Sequence, residues 1–228
     1  MNFTETKVIQ VIQETSDAYS IYLKRPENYQ WKAGQFTQIK FKDYPLPEGE
    51  KDFRVFSIAS SPEEDFLLFS TRIAEKHSPF KDVILHQLKP GDTILVGEPM
   101  GLFHLPEEKE TLIIAGGIGI TPIRSLLKHE LEGKGSTPIQ LLYSDDRAEY
   151  CYPEFFKEIQ EKAPWIQINF IFNREELSVK IQDYTIEKGN EAYYMIAGSP
   201  GMNKAIQESL MNQSIQKENI ILDNFVGY

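Results

Sequence analysis

Cysteine is nearly missing from this chain. One residue, Cys151, stands alone among 228. It has no partner for an intrachain disulfide, and a four-cysteine iron–sulfur cluster held by this chain alone is excluded. Histidine is also scarce. His77, His86, His104 and His129 show no ligand spacing in the sequence, so no metal site is expected. There is no excess of basic residues. The formal net charge is -10, which argues against a nucleic-acid partner. Long hydrophobic runs are absent too. The opening "MNFTETKVIQVIQET" alternates and carries charge early, so it reads as neither a signal peptide nor a membrane span, and a cytoplasmic protein is expected. No internal repeat or low-complexity tract is visible.

What the chain does contain suits ordinary cores. Apolar residues make up 41%, and the length fits one large domain or two of about 100 residues each. The charge is uneven, with 12 basic and 15 acidic side chains over residues 1–105 but 12 and 19 over 106–228. The two halves also differ in rhythm. "KVIQVIQET" and "AYSIYLKRP" alternate apolar and polar residues, as half-buried strands do. "GQFTQIKF", "FRVFSIAS", "DFLLFSTRI" and "DTILVGEP" continue the series, with "YPLPEGEKD" as a polar loop. One helix interrupts it at "SPFKDVILHQL", where Ser78 suits an N-cap and Pro79 the first helical position. This half suggests a small barrel or sandwich, and the expected form is an antiparallel Greek-key β-barrel.

After "HLPEEKE" the strands become wholly apolar and alternate with helices. "TLIIA", "PIQLLYS", "WIQINFIFN", "YYMIAG" and "NIILDNF" are the strands; helices are expected at about 121–133, at "YPEFFKEIQEK" and at "PGMNKAIQESLMN". That pattern predicts a five-stranded parallel sheet covered on both faces. The expected division is a barrel over 1–105 and an α/β domain over 106–228.

The second half opens on "IIAGGIGITPIRSLL", where a strand turns through glycines into a helix. Such a turn presents free N–H groups and the positive end of a helix dipole, which together make an anion site suited to a pyrophosphate. Gly117 and Gly119 let a backbone or phosphate approach closely. Pro122 costs nothing in the first helical turn, and Thr121 is expected to cap the helix and donate to a phosphate. A second loop, "MIAGSPGMNKAI", ends a later strand with Gly198, Pro200 and Met202. Two such turns at strand ends suit opposite walls of a dinucleotide crevice. In the barrel half, "RVFSIASSP" places Arg54 and Phe56 on one face of a strand and Ser57 on the other, with Val55 between. An arginine for phosphate, a ring for stacking and a hydroxyl for a heteroatom make a cofactor site. Taken alone, the stretch equally fits an ordinary strand with a surface arginine and a core phenylalanine.

The order of these pieces, "RVFSIASSP", "GDTILVGEPMGLF", "AGGIGITP", "IAGSPGM" and a terminal "DNFVGY", resembles the ferredoxin–NADP reductase family over nearly the whole chain. That family combines a flavin-binding barrel with a nicotinamide-dinucleotide-binding α/β domain. The resemblance implies that Arg54 binds flavin phosphate, Phe56 packs on the flavin and Ser57 bonds near its N5. It implies that the backbone of Thr71, Arg72 and Ile73 holds the ring or ribitol edge. Ser78, Pro79 and Phe80 would meet the flavin pyrophosphate. Gly117, Gly119, Thr121 and Pro122 would hold the nicotinamide cofactor's pyrophosphate, and Gly198, Pro200 and Met202 would line the nicotinamide. Ala197 stands where many relatives have cysteine, and Ala33 where proline is common. No cysteine-rich ferredoxin module is visible, so the chain resembles a stand-alone reductase core.

FAD is favoured over FMN, because the capped helix offers a second phosphate site. Ser144, Asp145 and Arg147 follow the strand whose end should meet the adenosine ribose. Asp145 or Asp146 would accept from ribose hydroxyls and repel a 2′-phosphate, whereas Arg147 would attract one. Two acids against one base favour NADH over NADPH. Asp223 is a candidate polar or proton-relay group near N5, and Phe225 or Tyr228 a cover for the flavin's outer face. The implied activity is hydride transfer from NAD(P)H to FAD, with electrons passed to a separate acceptor such as ferredoxin, flavodoxin or an oxygenase component. The rival readings are an electron-transfer component active only in a larger complex and a non-catalytic flavin- or nucleotide-binding regulator. Cys151, between Tyr150 and Tyr152, reads as a packed thiol rather than a nucleophile.

Overall fold

The computed structural model describes residues 2–107, 109–133 and 135–223. Contacts divide the described chain into two units, 2–104 with 124–129 and 105–123 with 130–223.

The first unit contains β1 (Phe3–Gln13), β2 (Ala18–Lys24), β3 (Phe36–Phe41), β4 (Phe53–Ser57), β5 (Phe66–Arg72), α1 (Pro79–His86) and β6 (Thr93–Gly97). The six strands form an antiparallel sheet in the order β4-β3-β6-β1-β2-β5. The sheet curls into a near-barrel. Just past β4, the Ala59 N–H donates to the Leu68 carbonyl of β5 at 2.7 Å. Inward positions alternate as the sequence rhythm requires; β3 buries Thr37, Ile39 and Phe41 and leaves the residues between them partly exposed. The core gathers Ile21, Leu23, Phe56, Phe69 and Phe80 among others. Ser78 caps α1, its hydroxyl accepting from the Lys81 N–H, and Pro79 takes the first helical position. Within this unit the Arg124 guanidinium meets both carboxylate oxygens of Glu64 at 2.8 Å and donates to the Ala59 carbonyl at 2.9 Å.

The second unit holds β7 (Thr111–Gly116), α2 (Ile120–Gly133, whose residues 124–129 belong to the first unit), β8 (Ile139–Ser144), α3 (Pro153–Lys162), β9 (Ile166–Ile171), α4 (Arg174–Lys188), β10 (Tyr193–Ala197), α5 (Pro200–Asn212) and β11 (Ile220–Leu222). All pairings in its five-stranded sheet are parallel, in the order β11-β10-β7-β8-β9. β7, β8 and β10 are buried almost end to end, which is why they lack polar alternation. The sequence reading did not name α4. Its start carries a clear signal, since the Asn173 side chain accepts from the Glu176 N–H. Its buried stripe is Leu177, Ile181 and Tyr184, but exposed Val179 and Ile186 blur that period in the sequence. Among the described residues no helix is long and apolar enough to cross a membrane.

Candidate functional site

In the second unit the chain runs β7, β8, β9 in one direction and then returns to place β10 on the other side of β7. The strand order therefore reverses between β7 and β10, and ligands of open α/β sheets bind outside such a reversal. Both glycine turns leave the sheet there. Ala115 and Ala197 are paired neighbours at the carboxyl ends of the two strands.

The turn after β7 is a single turn of 3₁₀ helix, Gly117–Gly119, that leads into α2. Gly117 has a φ of +53°, which favours glycine. Gly119 is required for a different reason. A Cβ on it would lie 2.2 Å from the Ala197 carbonyl oxygen and 2.8 Å from the Gly198 nitrogen. The two turns thus touch backbone to backbone. Met202 fills the space beside them, its sulfur 2.1 Å from where a Gly116 Cβ would be and 2.8 Å from a Gly198 Cβ. Pro200 opens α5, and Ser199 caps it by accepting from the Met202 N–H at 3.3 Å.

Thr121 does not cap α2. It lies inside the helix, 4% exposed, and its hydroxyl donates to the Ile118 carbonyl at 2.6 Å. Its one hydrogen is given to that carbonyl here, so donation to a phosphate would require the hydroxyl to rotate. Pro122 follows within the first helical turn, where its missing N–H is harmless. Asn203 is a group the sequence reading missed. It is 9% exposed, its amide nitrogen donates to the Asp223 carbonyl at 3.2 Å, and its Oδ1 is buried with no hydrogen-bond partner among the described residues. That oxygen lies 3.3 Å from the position of a Gly198 Cβ, so an unsatisfied acceptor borders the glycine cradle. Asp223 continues beyond β11, its N–H donating to the Ile196 carbonyl at 2.9 Å. Phe225 and Tyr228 lie outside the described residues.

At the end of β8, Ser144 and Asp145 are buried. Asp145 folds onto its own loop. Its Oδ1 accepts from the Arg147 N–H at 3.0 Å and lies 3.8 Å from the Arg147 guanidinium. Asp146 is exposed and lies 3.4 Å from Arg174. The count of two acids against one base is therefore altered, because the nearer acid is paired with the base.

In the first unit Arg54 and Phe56 border the same ring, as the alternation of β4 requires. The Arg54 guanidinium lies 5.2 Å from the Phe80 ring centroid, and Phe56 lies 6.2 Å from it. Phe56 is buried among Phe69 and Phe80, and Phe80 is fully buried and stacked on Phe41 at 4.2 Å. The Phe80 ring is a core side chain, so only its backbone remains for a cofactor. Without a hydroxyl, Phe56 gains most from the same apolar cluster. Val55, between them, is partly exposed. Ser57 ends β4, nearly buried. Arg54 is ion-paired with Glu50 and donates to the Lys51 and Phe53 carbonyls at 2.9 Å. Lys81, in the first turn of α1, is pushed below its ordinary pKa by burial and then by the Arg54 charge. Two cations are thus held together beside a helix N-terminus, with Glu50 balancing Arg54 and Asp17 acting on Lys81. Thr71 is buried. Arg72 pairs with Asp17 at 3.5 Å, and the Ile73 N–H donates to the Asp17 carbonyl at 2.7 Å. That last bond uses the Ile73 donor.

Cys151 is buried, and its N–H donates to the Tyr143 hydroxyl at 3.2 Å, so it is a packed thiol. Burial pushes the Tyr143 phenol far above its ordinary range.

A curled antiparallel barrel followed by a parallel sheet with glycine turns at its reversal defines a two-part fold. Residues 113–208 match the oxidoreductase NAD-binding domain family. A flavohemoprotein from Candida albicans is 33% identical over 178 residues, covering 70% of this chain and 41% of that protein. One component of the Na(+)-translocating NADH-quinone reductase of Yersinia pseudotuberculosis is 26% identical over 229 residues, covering 89% of this chain and 55% of that one. The chain thus spans about half the length of these curated relatives. The crystal structure of a ferredoxin NADP+ reductase from Neisseria gonorrhoeae with bound FAD and NADP superposes with a TM-score of 0.74 at 21% identity, covering 98% of both chains. The chain has the fold of ferredoxin–NADP reductases, and residues 113–208 carry its oxidoreductase NAD-binding domain.

Proposed function

We infer that this chain is an FAD-dependent NAD(P)H reductase, with a flavin-binding barrel over 1–105 and an NAD(P)-binding domain over 106–228. The observation that carries the reading is the presence of one anion cradle in each unit. The barrel offers Arg54 and Lys81 beside the start of α1; the α/β unit offers the Gly117–Gly119 turn against the Gly198 turn. The residues present fit both groups. A flavin phosphate would displace Glu50 from Arg54 and relieve the crowding of two cations. Backbone N–H groups at the start of α1 would complete that site. The pyrophosphate of the nicotinamide cofactor would lie on the Gly117–Gly119 turn. The buried Asn203 Oδ1 would accept from an amide donor on the nicotinamide side.

When bound, the two cofactors supply hydride exchange between the nicotinamide C4 and the flavin N5. The chain's own part is to bind, orient and keep polar groups at stated atoms. Ser57 would bond at the flavin N5 edge, and the Thr71–Ile73 segment would hold the ring edge through its remaining backbone groups. Asp223 is the proposed polar or proton-relay group. NADH remains the favoured cofactor, on Asp145 and Asp146, each of which also faces an arginine. Electrons would leave to a separate acceptor, either a protein or a small molecule. The similarity to one component of the NADH-quinone reductase favours, as a second reading, a chain that works within a larger complex.

The test is an anaerobic absorbance spectrum after incubation with FAD and desalting, followed by NADH or NADPH in separate samples. Rapid bleaching of a retained flavin band supports the reductase, and the faster cofactor identifies the donor. A retained flavin that neither cofactor bleaches favours the larger complex. A colourless desalted protein overturns the barrel assignment.

A further inference from the structure

The four histidines show no ligand spacing in the sequence, yet the fold gathers two of them around an acid. His77, just before the α1 cap, meets Asp82 and His86, which are four residues apart on one face of α1. One ligand atom from each lies within 4.8 Å of the others. His77 Nε2 is 3.5 Å from Asp82 Oδ1, and His86 Nε2 is 3.8 Å from the same oxygen.

Two features distinguish this cluster from ordinary ion pairs. The first is the hydrogen bond at the far side of the His77 ring, where Nδ1 lies 2.7 Å from the Ala74 carbonyl oxygen. A carbonyl only accepts, so Nδ1 carries the proton. With Nδ1 protonated, a neutral ring directs its Nε2 lone pair at a carboxylate oxygen, an arrangement that a proton or a metal ion on Nε2 relieves. A backbone carbonyl on the distal nitrogen is also the common way to orient a metal-ligating histidine. The second feature is the spacing. At 3.5 and 3.8 Å the contacts are longer than good N–H···O hydrogen bonds, which run to about 3.2 Å. They are close to the roughly 3.4 Å that separates neighbouring ligands around a tetrahedral ion with bonds of about 2.0–2.1 Å.

We propose that His77, Asp82 and His86 bind one divalent transition-metal ion of the zinc type. Two imidazoles and one carboxylate suit zinc, nickel or copper(II), whereas magnesium and calcium favour oxygen ligands alone. Asp82 and His86 are half-exposed, so the ion can enter, and water completes its coordination. The site joins the residue before the cap to the last turn of α1, and an ion there ties both ends of that helix together. It stands independently of the flavin reading.

The experiment is equilibrium dialysis of the purified, untagged full chain against zinc chloride, with bound metal counted by emission spectroscopy. One zinc per chain is expected, undisplaced by excess magnesium. His77→Ala, Asp82→Asn and His86→Ala should each weaken binding by about 100-fold or more, at or beyond the upper end of what losing an orienting partner costs. His104→Ala and His129→Ala should leave it unchanged. Zinc should raise the Tm of the unaltered chain but not of His86→Ala, whose exposed ring contributes little to folding. The proposal is overturned if the unaltered chain binds no zinc saturably. It is equally overturned if stoichiometric binding survives His86→Ala with Asp82→Asn in one chain.

Discussion

The two units build their proposed anion sites from different materials. The barrel uses side chains: Arg54, Lys81 and the Ser78 cap are brought together by a strand and a helix, and Glu50 holds the arginine meanwhile. The α/β unit uses backbone, and its requirement is the absence of side chains at Gly117 and Gly119. Side-chain sites tolerate exchange and adjust by rotamer. A backbone site has no such slack, because a single added methyl group collides with a neighbouring main chain. The first kind should fail by degrees under mutation, and the second abruptly.

The largest stability effect should nonetheless come from a side-chain network in the first unit. Glu64 receives both Arg124 nitrogens and the Ser61 N–H, with Arg124 and Glu64 side chains only 8% and 10% exposed. Glu64→Gln leaves a buried guanidinium without its counter-charge, and urea unfolding should show a loss of about 3–5 kcal/mol. Gly119→Ala comes next. Overpacking against the Ala197 carbonyl should cost about 1–3 kcal/mol, and titration should find nicotinamide binding lost while flavin is retained. Gly201→Ala, with nothing within 4 Å of its added Cβ, should leave both unchanged. If the two glycine variants behave alike, the distinction between backbone and side-chain sites fails.

Arg54→Ala should weaken FAD retention by roughly 10- to 100-fold, the worth of a charge-assisted bond of about 1.5–3 kcal/mol, without abolishing it. Desalting followed by fluorescence of the released flavin measures this. The smallest effect concerns pH. Tyr29 donates to the Gly97 carbonyl at 2.7 Å, and burial pushes its phenol up to about 12. A raised folded-state value means that the stabilisation is intact below pH 10 and fades as pH rises toward about 12. After solvent screening the loss should be about 1–2 kcal/mol, and Tyr29→Phe should flatten that part of the stability profile.

The sequence made the fold legible because burial leaves a period. Strands exposed on one face alternate, strands covered on both do not, and that contrast divides the chain before any motif is considered. The helix α4 escaped because Val179 and Ile186 put apolar residues on its wet face. The glycine turns were legible as turns, but not the fact that Gly119 exists to admit the Ala197 carbonyl, since the two residues are distant in sequence. The reading of Thr121 as a cap erred by two residues; α2 begins at Ile120, directly after the 3₁₀ turn, so Thr121 lies inside it. Glu50, Lys81 and Asn203 escaped for a shared reason. Each matters through a neighbour that only the folded chain supplies. The grouping of His77 with Asp82 and His86 is the same case, because a scan for paired histidines overlooks the acid between them.

The chain's single thiol has a consequence of its own. Cys151 is 3% exposed, and its backbone is held by the Tyr143 hydroxyl. Sulfur oxidation follows exposure and thiolate character, and this sulfur has little of the first. The reductase proposed above would meet partially reduced oxygen in air, and Cys151 offers it no surface sulfhydryl. Storage without added thiols should therefore yield neither covalent dimers nor sulfenic acid.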